Sequence, residues 1–339
     1  MVNRKIVSLL MLVVSSFMAC SQDDEGAASP SFEVFLTGNA SDVNTETSFG
    51  LALLGGADAF SLAETKAFQF LVDKSGGGDF VVLRASGGDG YNDFIFHDIG
   101  GVNSVRTIIV DAKTIAEDPD LIDLVENAEA IFIAGGDQNK YVRYWKDTGL
   151  ANALNALINE KKIPIGGSSA GLAILGEYYY GASAGSVITS EGLSNPYHEN
   201  MNGLDTDFLE VPYLSAVITD SHYADRERQG RHFAFMARVI TDFNIADNTM
   251  RGVGVDEATA VLVEPDGNAS IIGDGDDGAE PETCVSNSPL TWNINAQAVS
   301  AYVVPGTDNG SNTFNFNTWS GSGGAQEYWS ANNGNFVRQ

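Results

Sequence analysis

Short apolar runs alternate with segments of helical spacing along the first two thirds of the chain. Short apolar runs bounded by turn residues are typical of strands buried on both faces, and apolar positions recurring every three to four residues are typical of amphipathic helices. Because strands joined by helical crossovers run parallel, the pattern predicts an α/β fold with a mostly parallel sheet. The predicted strands are Gly50–Leu54, Phe80–Leu83, Arg106–Val110, Ala130–Ile133, Ile163–Ile165 and Ser215–Thr219, and the predicted helices are Ala59–Lys74, Asp120–Asn127, Leu150–Lys161 and Arg226–Phe243.

The pattern changes in the last third of the chain. Strands are predicted at Gly252–Val255, Thr259–Glu264 and Ala269–Ile272, and Pro265-Asp266-Gly267-Asn268 is a hairpin turn signal between the last two. Beyond about residue 280, apolar and polar residues alternate among many Asn, Gly, Ser and Thr. We therefore predict an α/β domain over residues 32–279 and an antiparallel β extension over residues 280–339.

The N-terminus has the pattern of an exported protein. Arg4 and Lys5 precede an apolar run over residues 6–18, and Cys20 follows directly after Ala19. This order predicts a signal peptide over residues 1–19, with lipidation of Cys20 and a flexible tether over residues 20–31. Ordinary secretion, with Cys20 a chance residue, is the alternative. The expected location is extracytoplasmic, with the chain anchored to a bacterial membrane through lipid.

Composition limits the partners of the chain. Its 339 residues carry 18 Lys and Arg against 45 Asp and Glu, a formal net charge of −27, and 43% of them are hydrophobic. Such an acidic chain is a poor ligand for nucleic acid or an anionic lipid surface. The expected partner is a peptide or polymer substrate, with membrane contact only through the lipid; a homodimer is left open.

One stretch suggests nucleophilic catalysis. Gly167-Ser168-Ser169-Ala170-Gly171 follows a predicted strand and opens a helix, which fits the G-x-S-x-G pattern with Ser169 at its apex. Small neighbours permit a sharp turn that exposes the serine hydroxyl, and the N–H of Ala170 at the start of the helix can face a developing oxyanion. Ser169 is therefore the candidate nucleophile, and Ser168 ranks second.

A second glycine turn is predicted to lie beside the first. Strand Ala130–Ile133 ends in Gly135-Gly136-Asp137-Gln138, and neighbouring parallel strands end at the same edge of a sheet. The N–H of Gly136 or Asp137 would then complete an oxyanion hole. A tight turn capped by the Asp137 side chain is an equally good explanation.

A serine nucleophile needs a base, and the chain has four histidines. His222 follows the predicted strand Ser215–Thr219 directly and is placed at the same sheet edge as the glycine turns. His232 falls within a predicted helix, while His97 and His198 do not follow a strand. His222 is the candidate base.

Together these residues resemble the cyanophycinase and aspartyl dipeptidase (peptidase E-like) family of serine peptidases, which has a class I glutamine-amidotransferase-like, flavodoxin-like three-layer fold. The resemblance covers roughly Gly50 to Gly273. It implies that Ser169 attacks, that His222 is the general base, and that no metal or cofactor is needed. The motifs that carry it, in order, are Leu54-Gly55-Gly56, Gly135-Gly136-Asp137-Gln138, Gly167-Ser168-Ser169-Ala170-Gly171, Asp220-Ser221-His222-Tyr223 and Arg226-x-Arg228-x-x-Arg231.

The resemblance also implies a substrate site. Cyanophycinases accept aspartyl-arginine isopeptide units, and guanidinium groups suit such substrates because they pair bidentately with carboxylates. Ion pairing on a helix surface is the alternative role for the arginines. The residues expected to contact substrate are Gln138, Asp220, Ser221, Arg226, Arg228 and Arg231.

The acid that orients His222 is harder to assign. The family places a glutamate in the loop after the nucleophile helix, and Glu191 in Thr189-Ser190-Glu191-Gly192-Leu193 fits that placement. Asp220 is the alternative, and Glu199 and Asp205 are weaker candidates. The expected triad is Ser169, His222 and Glu191.

Three positions depart from the cyanophycinase pattern. Ser168 stands where Thr is usual, Ser221 where Gln is usual, and Tyr223 where Phe is usual. The change at Ser221 removes an amide expected to touch substrate, so the sequence supports the hydrolytic machinery better than it supports cyanophycin as substrate. We expect an extracytoplasmic serine peptidase acting next to aspartate. Its rivals are an amidotransferase-like hydrolase of small amides and a non-catalytic surface binding lipoprotein.

Overall fold

The computed structural model describes residues 31–56, 60–246, 248–273, 282–287, 299–332 and 334–338. Residues Ser31–Gln339 form one compact unit. The predicted signal peptide, Cys20 and nearly all of the predicted tether lie outside the described residues. The helices are α1 (Leu62–Lys74), α2 (Lys113–Ala116), α3 (Pro119–Glu126), α4 (Gln138–Trp145), α5 (Gly149–Ala156), α6 (Ala170–Ala173), α7 (Thr189–Ser194) and α8 (Gln229–Asp242).

Strands make up much of the rest of the chain. Those of the first two thirds are β1 (Glu33–Gly38), β2 (Leu51–Leu54), β3 (Asp79–Arg84), β4 (Ser104–Ile109), β5 (Ala130–Ile133), β6 (Ile165–Ser168), β7 (Tyr179–Tyr180), β8 (Leu204–Asp205) and β9 (Val217–Asp220). Those of the last third are β10 (Arg251–Val255), β11 (Thr259–Val263), β12 (Asn268–Gly273), β13 (Glu282–Asn287), β14 (Val299–Pro305), β15 (Thr313–Asn315), β16 (Ser320–Ser322), β17 (Ala325–Asn332) and β18 (Asn335–Arg338).

The larger sheet has a parallel centre. Within the described residues its strand order is β1-β4-β3-β5-β6-β2-β11-β12-β15-β16. Strands β4, β3, β5, β6 and β2 run parallel to their neighbours among these five, while β1 and the strands from β11 onward pair antiparallel. The predicted α/β class is confirmed.

Alternate side chains of the central strands feed two cores. Leu51 and Leu53 of β2 pack with residues of α3 and α5, whereas Ala52 and Leu54 pack with residues of α1. Successive side chains of a strand point to opposite faces, so each face of the sheet buries one layer of helices. The result is the expected three-layer arrangement.

A smaller sheet carries the second part of the site. Its order is β18-β17-β14-β13-β10-β9 within the described residues, with β9 and β10 parallel. Helix α8 supplies many of the apolar residues that pack with β9 at Ile218, β14 at Val299 and β17 at Ala331. Strands from beyond residue 280 therefore extend both sheets, since β15 pairs with β12 and β13 pairs with β10. The domain division at residue 280 stays a prediction.

Two elements differ from their predicted bounds for a physical reason. Strand β6 begins at Ile165 and runs to Ser168, beyond the predicted end, because Gly166 and Gly167 are strand residues rather than turn residues. A Cβ on Gly166 would lie 3.0 Å from Leu71 Cδ1, so the close packing of α1 favours glycine there. The predicted helix Leu150–Lys161 is α5 followed by a π-helical turn over Leu157–Lys161.

No helix among the described residues is both long and apolar enough to cross a membrane.

Candidate active site

Ser169 occupies a strained turn between β6 and α6. Its backbone has φ 53° and ψ −113°, a conformation that non-glycine residues rarely adopt. The glycines on either side are required by close contacts: a Cβ on Gly167 would lie 2.6 Å from the carbonyl carbon of Gly171, and one on Gly171 would lie 2.0 Å from Ile133 O. This is the geometry that the G-x-S-x-G pattern predicts for an exposed nucleophile.

The two glycine turns are neighbours, as expected from the sheet order. Strands β5 and β6 pair in parallel with Ile133 opposite Gly167, and a Cβ on Gly135 would lie 3.4 Å from Ser169 Cβ. Asp137 caps α4, because its Oδ1 accepts a hydrogen bond from Asn139 N at 3.0 Å.

The backbone N–H groups beside Ser169 are available to a ligand. Among the turn and loop backbone hydrogen bonds of the described residues, none has the N–H of Gly136, Asp137 or Ala170 as donor. Their assignment to an oxyanion hole stays a prediction.

His222 is held against Ser169 by the glycines after β2. Its backbone N donates to Gly55 O at 2.8 Å, and its ring lies so close to the chain that a Cβ on Gly56 would be 2.4 Å from the imidazole Cε1. Nε2 lies 2.7 Å from Ser169 Oγ. The structure therefore brings the candidate nucleophile and the candidate base within hydrogen-bond distance.

The carboxylate on the far side of the imidazole is Glu257. Its Oε1 forms a very short hydrogen bond with His222 Nδ1. Glu257 lies two residues after β10, which pairs in parallel with β9, so the base and the acid emerge from adjacent strand ends. Its backbone N is fixed by Asp256 Oδ1 at 2.9 Å.

The expectation of Glu191 as this acid is therefore corrected. Glu191 is a partly exposed residue in the first turn of α7, where its Oε2 accepts hydrogen bonds from Ile188 N at 3.2 Å and from Asn200 Nδ2 at 3.4 Å. A carboxylate committed to the start of its own helix is not available to the imidazole. Sequence reasoning missed Glu257, although it follows the predicted strand Gly252–Val255 just as His222 follows β9.

Burial sets the charge state of His222. The ring is only 8% exposed, and this desolvation lowers the pKa of His222. The hydrogen bond to Glu257 opposes the shift, while the positive charges of Arg226 and Arg228 add to it. A neutral imidazole with Nδ1–H on the carboxylate leaves Nε2 free to accept the proton of Ser169.

The other candidate acid, Asp220, forms an ion pair with Arg231. Its carboxylate is buried and accepts a fork of hydrogen bonds from Arg231, from Nε at 2.8 Å and from Nη2 at 2.6 Å. Burial raises the pKa of Asp220, but the adjacent Arg231 outweighs it and brings the pKa down to about 2. The remaining Nη1 of Arg231 donates to Ser186 Oγ and Val187 O, both at 3.1 Å. This pair connects β9 to α8. Arg231 and Asp220 were expected to contact substrate, but their hydrogen-bonding groups already have partners within the protein.

Arg226 and Arg228 lie closer to the catalytic groups. Arg226 Nη2 is 3.6 Å from Glu257 Oε1 and its side chain is half exposed. Arg228 Nη1 donates to Ser221 O at 2.8 Å. Burial and the neighbouring arginines lower the pKa of Arg228 to about 10, although the negative charge of Asp220 opposes this shift. No described residue accepts a hydrogen bond from Nε or Nη2 of Arg228. Both guanidinium groups can therefore bind an anion near His222.

Gln138 and Ser221 complete the predicted substrate contacts. Gln138 begins α4 beside the second glycine turn, and its Nε2 donates to Tyr180 O, which leaves the amide oxygen for another donor. Ser221 is 2% exposed, and its hydroxyl lies 3.4 Å from Arg228 Nη1. Contact of either residue with substrate stays a prediction.

The weaker acid candidates lie elsewhere. Asp205 Oδ2 pairs with Lys146 Nζ at 2.6 Å, and Glu199 opens a short helical turn over Glu199–Met201. Within the described parts of the chain, no group of three or more His, Cys, Asp or Glu side chains is arranged to hold a metal ion.

Ser169 follows a strand of the larger sheet, whereas His222 and Glu257 follow strands of the smaller sheet, so the expectation that His222 shares a sheet edge with the glycine turns is wrong. A serine, an imidazole and a carboxylate hydrogen-bonded in series nevertheless form the kind of site that serine hydrolases use. Residues 107–271 match the model of peptidase family S51. This match to a family of serine-type peptidases confirms the resemblance to the cyanophycinase and aspartyl dipeptidase family.

Individual proteins similar in sequence to this chain include cyanophycinases. The chain is 31% identical over 185 residues to the cyanophycinase of Synechococcus elongatus, which covers 55% of this chain and 51% of that protein. It is 28% identical over 183 residues to the cyanophycinase of Geminocystis herdmanii, covering 53% of this chain and 59% of that one. The alignments thus span about half the length of these relatives. A solved peptidase from an acI-B1 Actinobacterium is 14% identical with a TM-score of 0.50, covering 80% of this chain and 98% of that one, and it supports the fold alone.

Proposed function

We propose that this chain is a serine peptidase that hydrolyses a peptide or isopeptide bond next to aspartate through an acyl-enzyme. The observation that carries the proposal is the distance of 2.7 Å between Ser169 Oγ and His222 Nε2, with Glu257 on the opposite ring nitrogen. The strained backbone of Ser169 and the burial of His222 are what a nucleophile and a neutral base require.

The groups of the site are matched to each step of the reaction. Ser169 Oγ attacks the carbonyl carbon while His222 Nε2 takes its proton, and the N–H groups of Ala170 and of Gly136 or Asp137 stabilise the oxyanion. His222 then protonates the leaving amine, and the acyl group stays on Ser169. Water, deprotonated by His222, attacks the ester and releases the acid, which regenerates Ser169. Glu257 holds the Nδ1–H and stabilises the imidazolium in both halves.

The substrate class follows from the charge of the site. Arg226 and Arg228 place positive charge next to His222 in a chain whose net charge is −27. A guanidinium pairs best with a carboxylate, so a substrate with an aspartyl side chain or α-carboxylate near the bond fits this edge. The cyanophycinase relatives favour a β-aspartyl-arginine isopeptide as one such substrate, while Ser221 in place of the usual Gln leaves α-aspartyl peptides as the other.

We also propose that the mature chain is extracytoplasmic and lipid-anchored at Cys20. The proposal rests on the charged start, the apolar run and the cysteine that follows it.

The experiment is a comparison of two substrate types with the wild-type chain and Ser169→Ala. Purified cyanophycin and α-aspartyl dipeptides are incubated separately, and released products are measured by chromatography. Release of Asp-Arg dipeptides that is lost in Ser169→Ala would assign the isopeptide. Serine-dependent cleavage of the α-aspartyl dipeptides alone would assign those instead. No turnover of either by a correctly folded chain would contradict the proposal.

A further inference from the structure

The residue next to the catalytic histidine is buried in the smaller sheet. Tyr223 is 3% exposed, and its ring lies flat against β10, because a Cβ on Gly254 would be only 2.4 to 2.5 Å from three of its ring atoms. A side chain larger than hydrogen at residue 254 would displace this ring. The position of Tyr223, and with it the backbone of His222, therefore depends on what packs around the ring.

The C-terminal strands supply the outer wall of this site. Tyr223 packs with Ala301 and Val303 of β14 and with Trp329 of β17. The rings of Tyr223 and Trp329 are offset-stacked, with centroids 6.4 Å apart and planes at 30°, within the range where aromatic pairs attract. All three of these partners lie beyond residue 271, where the match to the peptidase family model ends.

The polar groups of the two rings have specific partners. Tyr223 Oη lies 2.9 Å from His232 Nδ1, and His232 Nε2 is 3.1 Å from Ile218 O, so a neutral His232 donates to the carbonyl and accepts from the tyrosine. Trp329 is itself fixed, because its Nε1 donates to Glu327 Oε2 at 2.7 Å. The two rings thus form a stack between β10 and β17.

We propose that the C-terminal strands act as a brace for the catalytic histidine: Trp329 holds the Tyr223 ring on Gly254 and so fixes the position of His222 relative to Ser169. Tyr223 and Trp329 are positioning residues in this assignment, since neither touches the reacting atoms. The inference rests on the proposed function, and it gives the C-terminal extension a role in that function.

The brace makes a specific prediction about the pH dependence. The imidazole of His222 faces Glu257, Arg226 and Arg228, and its burial favours the neutral form. Loosening the Tyr223 ring would let water reach the imidazole, which relieves the desolvation and raises the pKa of His222. The acid limb of the rate profile would then move to higher pH, an effect that a simple loss of stability does not produce.

The test uses a small fluorophosphonate, which needs no knowledge of the substrate. Ser169 Oγ forms a bond to phosphorus, fluoride leaves, and His222 accepts the hydroxyl proton, so the rate of adduct formation reports the Ser169–His222 pair. The full mature chain is labelled over a range of pH, and adduct formation is followed by intact mass. The variants are Trp329→Ala, Trp329→Phe and Gly254→Ala. The matched control is Phe314→Ala, which removes a buried ring of β15 that packs on Tyr302, Phe316 and Trp319 and belongs to a different apolar cluster from Tyr223.

We expect Trp329→Ala and Gly254→Ala to slow labelling about 10- to 100-fold and to shift the acid limb upward, since small displacements of a catalytic group cost rates of this order. Trp329→Phe keeps a stacked ring and should restore most of the rate. Phe314→Ala should lower the melting temperature while leaving the rate and the pH profile unchanged.

Two results would overturn the brace, and they are distinguishable. If the wild-type chain is labelled at Ser169 and folded Trp329→Ala or Gly254→Ala shows the wild-type rate and acid limb, the brace is wrong and the proposed function stands. If the wild-type chain is not labelled at all, the proposed function fails and the brace fails with it. Should Trp329→Ala not fold, Gly254→Ala decides, because it displaces the same ring from the opposite side.

Discussion

Glu257 and His222 reach each other because each follows the end of a strand. Strands β9 and β10 are adjacent and parallel, so the residues after them meet at one edge of the smaller sheet. Glu191, by contrast, is bonded to the start of α7 through Ile188 N. At the scale of single residues, the identity of the acid is thus a question that two matched variants can answer.

The first prediction concerns these two glutamates. Glu257→Gln should lower kcat by about 10²- to 10⁴-fold, because the amide cannot stabilise the imidazolium and can favour the wrong tautomer. Glu191→Gln removes the same charge from the partly exposed start of α7 and should change kcat by less than about threefold. Steady-state kinetics on an aspartyl substrate measures both. Equal losses in the two variants would contradict the assignment.

The second prediction concerns the pH dependence of the wild-type chain. Neutral His222 is the active form, and burial lowers the pKa of His222, so kcat/KM should fall only below the ordinary histidine value of about 6.5. Glu257→Gln removes the group that raises this pKa, so its acid limb should lie at still lower pH. A profile of kcat/KM measures both positions. A wild-type limb above the ordinary value would show that the imidazole is not desolvated.

The same shift has a consequence for stability. A histidine with a lowered folded pKa binds a proton more readily when unfolded, so its contribution to the free energy of unfolding is complete above the ordinary pKa and is lost as pH falls from there through the folded pKa. Buried His232, whose pKa is also lowered by desolvation, acts in the same direction.

The two residues that the sequence predicted best are Ser169 and His222, and the structure brings them together. Both follow buried strands, and that local pattern is visible without a structure. Glu257 follows a predicted strand as well, but choosing it over Glu191 requires knowing that β9 and β10 are neighbours. Strand order comes from tertiary packing, which periodicity along one chain does not contain.

At the scale of elements, the ion pair of Asp220 and Arg231 connects β9 to α8. The carboxylate is fully buried at the end of the strand and receives two hydrogen bonds from one guanidinium. The arginines that the sequence suggested for substrate thus divide, with Arg231 holding the helix and Arg226 and Arg228 facing the site. Ion pairing on a helix surface, the alternative role for the arginines, does not describe Arg231 either, because its pair with Asp220 is buried.

The third prediction concerns this connection. Asp220→Asn leaves Arg231 buried without a counterion and should lower the free energy of unfolding by about 3 to 5 kcal/mol. Asp242→Asn, which breaks the Arg238–Asp242 pair of 2.6 Å on the surface of α8, should cost less than about 1 kcal/mol. Urea denaturation at neutral pH measures both. Similar costs would show that the buried pair does not hold the two elements together.

Acid should remove the stabilisation that the Asp220–Arg231 pair provides. Because Arg231 lowers the pKa of Asp220 to about 2, the stabilisation is complete above the ordinary carboxyl pKa of about 3.9 and is lost as pH falls toward the folded value. Asp220→Asn should lack that part of the acid dependence.

Most elements of the α/β part were predictable, and the exceptions have a common cause. Strand β6 contains Gly166 and Gly167, which have no side chain to show periodicity and are required instead by the neighbouring helices. Strand β1 lies at the sheet edge, and its apolar run over residues 34–36 is only three residues long, too short to predict a strand from the sequence. Tertiary contacts, not local pattern, decide these elements.

At the scale of the whole molecule, the C-terminal strands are part of both sheets. The alternation of apolar and polar residues beyond residue 280 predicts β structure, and strands β14 to β18 lie in that part of the chain. Which sheets they join depends on long-range pairing, such as that of β12 with β15. Their contact with the loop of His222 could not be predicted from the sequence for the same reason.

The fourth prediction concerns the location of the whole chain. If Cys20 is acylated after cleavage, the full chain expressed in a bacterial host should sediment with membranes, and its mature mass should include the lipid. Cys20→Ser should instead be found in soluble fractions without the added mass. Fractionation followed by mass spectrometry measures both. A soluble, unmodified wild-type chain that begins at its own Met1 would contradict export and anchoring together.

The measurement that most directly tests the central claim is site mapping of a fluorophosphonate adduct. We predict a single adduct on Ser169 in the wild-type chain and in Ser168→Ala, and none in Ser169→Ala. The proximity of Ser169 Oγ to His222 Nε2, at 2.7 Å, is the reason that this hydroxyl alone should be activated. An unlabelled wild-type chain, or an adduct on Ser168, would contradict the account of this site.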